Sequence, residues 1–174
     1  MGRTTPLRRE IKRTFIPHLV EKGFSTDMRH APQFFMFRRI STDAVTACDI
    51  QWEKYGRPRF VVNFGQCGPD GVVMRGEHVL PRDILSYHGI VRGQLRPGKG
   101  ATSRNWFRQD RPLLESIIRW SQFYTPQEVV LRLIGLFPEI EEFWASGRVG
   151  PHIHLMPRHL KLGLRNFGEE PSGA

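Results

Sequence analysis

The chain has 174 residues, 39% hydrophobic and 11% aromatic, enough for one sizeable core but not for two independent ones, and its composition is not that of a disordered chain. Twenty-six basic and 17 acidic residues leave a net charge of +9 at neutral pH, which favours nucleic acid, an anionic ligand or an acidic protein as partner. No apolar run approaches the ~18 residues of a membrane span, and two cysteines are too few for a disulfide framework or a four-cysteine zinc site.

Leu7, Ile11, Phe15 and Leu19 recur every fourth residue with Arg8, Arg9, Lys12 and Arg13 between them, which predicts an amphipathic helix over 7–22. Pro17 should kink it, and Gly23 should cap it with Phe24 folding back onto the last turn. No unbroken apolar stretch follows the basic N-terminal residues, so a secretory leader is not expected and a cytoplasmic setting is. Strand character follows in Phe34–Ile40, Val45–Trp52 and Arg59–Phe64, with shorter candidates at Val72–Arg75 and within Tyr87–Leu95. Cys48, Ile50 and Trp52 share one face of their strand, while Asp49, Gln51 and Glu53 share the other. Phe60, Val62 and Phe64 repeat the pattern, so one sheet face is core and the other meets solvent or a ligand.

From Gly93 to Asn105 the chain is rich in Gly, Ser and Pro and reads as an exposed loop. Helices are then expected over about 112–124, from the Thr125-Pro126 start through Ile134, and over Pro138–Trp144 with Glu139, Glu141 and Glu142 on a solvated face. The order predicts an α+β domain over 1–168: an N-terminal helix packed on an antiparallel sheet of about four strands, then C-terminal helices, with 169–174 as a frayed tail.

The helix end Leu19-Val20-Glu21-Lys22-Gly23-Phe24, the aromatic strand Phe34–Arg39, Ile50-Gln51-Trp52, Val61-Val62-Asn63-Phe64-Gly65, and Gly89-Ile90-Val91-Arg92-Gly93 followed by Trp106 occur in an order that resembles a bacterial family known as domain of unknown function 4304. The resemblance covers about residues 7–110. It implies an α+β fold and carries no activity, cofactor or site residue.

Several groupings could carry chemistry. Gly93 to Lys99 comes close to a phosphate-binding loop, but Gly100 stands where Ser or Thr would hold magnesium, so a surface loop is the better reading. Arg92, Arg96, Lys99, Arg104 and Arg108 interleave with Trp106 and Phe107, a mixture suited to phosphates and stacked bases of single-stranded nucleic acid. The plainer reading anchors Trp106 and Phe107 in the core and leaves the arginines solvated. His152 and His154 would share one strand face, a spacing usable for a metal, but a third ligand is missing. Cys48 should be buried, whereas the loop after Phe64 could expose Cys67. No catalytic signature assembles and no cofactor is implied. The leading expectation is a non-enzymatic binding or protein-interaction domain, with an acidic protein as candidate partner. The alternatives are nucleic-acid binding through the N-terminal helix and the 92–108 loop, or an enzyme of unfamiliar type using His152, His154 or Cys67.

Overall fold

A computed structural model describes residues 4–27, 34–99, 102–110 and 123–156. Its first helix, α1, is built from Thr5–Glu10, a π turn Ile11–Phe15, and Ile16–Glu21. Leu7, Ile11, Phe15 and Leu19 are all fully buried, each contributing about 1.5–3 kcal/mol of transfer free energy. Pro17 has no N–H and crowds the carbonyl one turn back; beside it the Ile16 N–H reaches Ile11 O across the wider π turn. Gly23, at φ 82°, ends the helix, and the Phe24 N–H returns to Leu19 O at 3.0 Å, which brings the Phe24 ring onto the core as expected.

Among the described residues seven strands form one antiparallel sheet, three more than the sequence suggested. They are β1 (Ser25–Asp27), β2 (Phe34–Ile40), β3 (Val45–Trp52), β4 (Arg59–Cys67), β7 (Val91–Leu95), β8 (Phe107–Arg108) and β9 (Ile153–Leu155). The order is β1-β2-β3-β4-β7-β9, with β8 beside the start of β4. A separate hairpin joins β5 (Val72–Met74) to β6 (Glu77–Val79) through Arg75 and Gly76, both at positive φ. Short one-turn 3-10 helices follow at Pro81–Asp83 and Ser86–His88. The first part of the strand expected over Tyr87–Leu95 is taken by the second of these turns. Conversely, Gly93–Leu95 belong to β7 and not to the expected loop.

Helix α2 (Pro126–Leu136) starts at Thr125, whose Oγ1 accepts the Glu128 N–H while Glu128 accepts the Thr125 N–H. Helix α3 (Pro138–Ser146) ends at Gly147 with φ 75°. The helix expected over 112–124 falls largely outside the described residues, as does the tail at 169–174. Phe123, at its expected end, forms a bridge with Asp110 instead. Among the described residues no helix is long and apolar enough to cross a membrane.

The three helices described pack on one sheet face. Phe35, Phe37, Cys48, Ile50, Phe60, Val62, Phe64, Leu95 and Ile153 meet Phe15, Val130, Leu133, Phe137 and Phe143 there. Edge-on contacts of Phe15 with Phe37 and Phe137, at 5.9 and 5.6 Å, tie the layers together. Helix α3 is also latched through its acids: Lys22 Nζ donates to Glu141 at 2.6 Å, and Arg148 pairs with Glu142. Glu139 holds His152. Of the acidic face expected to be solvated, Glu142 is exposed, whereas Glu139 and Glu141 are half-buried against their partners.

Candidate ligand-binding site

Antiparallel register fixes what stands on the other sheet face. Met36, Asp49, Asn63, Gln94 and His154 are directly opposite one another across β2, β3, β4, β7 and β9, so their side chains project from the same face. One end of this face is apolar: Val45, Ala47 and Cys67 form a small cluster capped by Ile84, with Val72 and Val79 of the hairpin packed against it. The centre is polar. Above it, the Ser86–His88 turn rests on Gly65, where any Cβ would collide with the Ser86 carbonyl. The Arg38 Nε–H, donated to Ile84 O at 2.7 Å, and the Ile90 N–H, donated to Gln66 O at 2.9 Å, hold that segment down.

The polar side chains form one oriented chain. Arg96 donates Nε–H to Gln94 Oε1 at 2.9 Å; Gln94 donates Nε2–H to Asn63 Oδ1 at 2.7 Å; Asn63 donates to Asp49 Oδ2 at 2.8 Å and to Gln51 Oε1 at 3.1 Å. Ser86 donates its hydroxyl to the other Asp49 oxygen. A guanidinium can only donate and a carboxylate can only accept, so the two ends dictate which way the Asn63 and Gln94 amides face. Asp49 is 4% exposed, and that burial raises its pKa above the ordinary carboxylate value, opposed by the bonds from Ser86 and Asn63.

Over this floor opens a pocket of about 440 Å³, lined by Met36, Leu85, Tyr87 and Met156 around Gln51, Asn63, Gln94 and Arg92. Arg92 donates Nη1–H to Tyr87 O at 2.8 Å, while its Nε–H is buried with no partner among the described residues.

The residues singled out in the sequence are thus divided between places. Arg92 lines the pocket, and Arg96 is buried beneath it as the donor end of the chain. Lys99 and Arg104 are exposed, and Arg104, Trp106 and Arg108 line a second pocket beside α2. Of the two aromatics, Phe107 alone enters the core, stacked on Phe60 at 5.1 Å.

His152 lies in the turn before β9 and its Nδ1 is 2.6 Å from Glu139 Oε1, whereas His154 stands opposite Gln94. Burial, then Arg96, lowers the pKa of His154. Among the described residues no three His, Cys, Asp or Glu side chains are grouped as metal ligands; His159 lies outside them. Cys67 is the last residue of β4 and not part of a loop. It is buried, which pushes its thiol up to about 11, and burial raises Cys48 as well.

Sequence reasoning named the Asp49/Gln51 face but missed Asn63, Ser86 and Gln94. Asn63 between Val62 and Phe64, and Gln94 between Gly93 and Leu95, are polar residues interrupting apolar strands, which was the available signal. Comparison of the chain with protein families, curated proteins and solved structures gives no match.

Proposed function

We propose that this protein is a non-enzymatic binding domain whose small-molecule ligand lies in the pocket on the polar sheet face. The observation that carries this reading is the chain from Arg96 through Gln94 and Asn63 to Asp49, set as the floor of a cavity of about 440 Å³. A sheet face need not hold buried amides for stability, and fixing their direction gives a rigid pattern of donors and acceptors for recognition. The groups that could act as nucleophile or base there are already committed: Ser86 donates into Asp49, and Asp49 accepts from two partners.

The lining favours a ligand with an apolar body against Met36, Leu85 and Met156 and an acceptor group for the Arg92 Nε–H. Two free, buried thiols support a reducing, cytoplasmic setting. The family resemblance over 7–110 implies no activity, so the geometry alone carries the reading.

Native mass spectrometry after incubation with a small-molecule cell extract tests it. Wild type is expected to retain a stoichiometric adduct that Gln51→Trp, whose indole fills the pocket, does not. No adduct on wild type, or the same adduct on both proteins, overturns the proposal.

A further inference from the structure

We propose that the second pocket, between residues 97–98, residues 104–108 and α2, binds a phosphorylated ligand carrying an aromatic base, of the nucleotide class. This cavity of about 350 Å³ is lined by Arg104 from a 3-10 turn, Arg108 from β8 and Arg132 from α2, together with Trp106 and Tyr124. Three guanidiniums from three separate elements converge on a space suited to one nucleotide unit and too small for a duplex.

The two described acids nearest this charge have partners of their own, and Asp110 also interacts with Arg108 through its charge. Among the described lining residues the carboxylate is Glu128, and its Oε2 accepts the Thr125 N–H at 2.7 Å and the Thr125 hydroxyl at 3.0 Å at the start of α2. Asp110, the nearest acid in sequence to Arg108, is clasped by both arms of the Arg59 fork. Arg132 is steadied by donating one Nη2–H to Pro97 O at 3.1 Å, which presets the guanidinium without neutralising it.

The aromatic part comes from the residue before β8: Trp106 lines the pocket with Arg108 and Phe107, and the Phe107 ring is stacked on Phe60 in the core. The Trp106 Nε1–H is buried with no partner among the described residues. A ring beside several guanidiniums is the combination that holds a base by stacking and its phosphate by charge-assisted hydrogen bonds.

The test uses the full chain at low salt, with adenosine 5′-monophosphate, adenosine and inorganic phosphate by calorimetry, and a labelled single-stranded oligothymidylate by fluorescence anisotropy. The monophosphate or the oligonucleotide is expected to bind at least about tenfold more tightly than adenosine or phosphate alone. Binding should weaken as salt rises and fall about tenfold or more in Arg104→Ala and Arg132→Ala, whose exposed positions leave folding intact. Gln51→Trp, in the other pocket, should leave it unchanged, so failure here is distinguishable from failure of the first site. Monophosphate binding assigns a free nucleotide, and binding of the oligonucleotide alone assigns a single strand. Absence of binding by both, or equal binding by the two arginine variants and wild type, overturns the proposal.

Discussion

Asn63→Leu removes the central link of the polar chain while keeping the same heavy-atom branching. It removes the 2.8 Å bond to Asp49 and the 2.7 Å bond from Gln94, two partners that are 4% and 6% exposed. A lost bond to a buried carboxylate costs about 1.5–3 kcal/mol and a stranded amide N–H about 1 kcal/mol. Asn63 itself is only part-buried, so water entering the pocket recovers some of this, and a net loss of about 2–3 kcal/mol is expected. For a chain of 174 residues that lowers Tm by about 5–10 °C.

The loss should depend on pH with a definite sign. Because the folded-state pKa of Asp49 is raised, the native state holds that proton more tightly than the unfolded state, so this group's contribution falls as pH rises from the ordinary carboxylate value through the raised one. Removing a donor that favours the carboxylate raises it further. The penalty of Asn63→Leu is therefore larger at pH 7 than below the ordinary carboxylate value, where Asp49 is protonated in both states. Urea unfolding at the two pH values, repeated in an Asp49→Asn background, measures this. A loss under about 0.5 kcal/mol, or one unchanged by pH and by Asp49→Asn, would refute the reasoning.

Gly65→Ala drives a Cβ into the Ser86 carbonyl, lifting the Ser86–His88 turn and its bond to Asp49; a loss of about 2–3 kcal/mol in thermal or urea unfolding is expected. Thr125→Ala removes the acceptor for the Glu128 N–H and should cost about 1 kcal/mol, measured in the same way, without altering the pocket on the polar sheet face. With its thiol pushed up to about 11 and its side chain buried, Cys67 should resist a thiol reagent at pH 8 in the native protein, as should Cys48, and both should react at once in denaturant.

Long, regular elements were legible because their periodicity is local. The four-residue spacing of Leu7 to Leu19 states which helix face is buried, while the alternation in Val45–Trp52 sorts the apolar from the polar face but not that both are covered, since Val45–Ile50 are all buried. β1, β8 and β9 have two or three residues, too few to show a period, and they exist because a neighbouring strand offers open backbone groups. The polar face followed from alternation as far as Asp49 and Gln51. Its completion did not, since Ser86 is 37 residues from Asp49 and Gln94 is 31 from Asn63, and sheet register brings them together. The same geometry explains why one basic stretch divides. Arg92 and Arg96 belong to β7 and its end, while Arg104 lies in the Ser103–Asn105 turn and Arg108 in β8.

Protein-observed NMR during a fragment screen, following the side-chain amide signals of Gln51, Asn63 and Gln94, tests the binding floor most directly. Fragments that bind are expected to shift these three sets of signals together, with saturable dose dependence and with loss of the response in Gln51→Trp. Fragment hits that leave the Asn63 and Gln94 amides unmoved, or a screen without any hit at this face, would contradict a ligand site there.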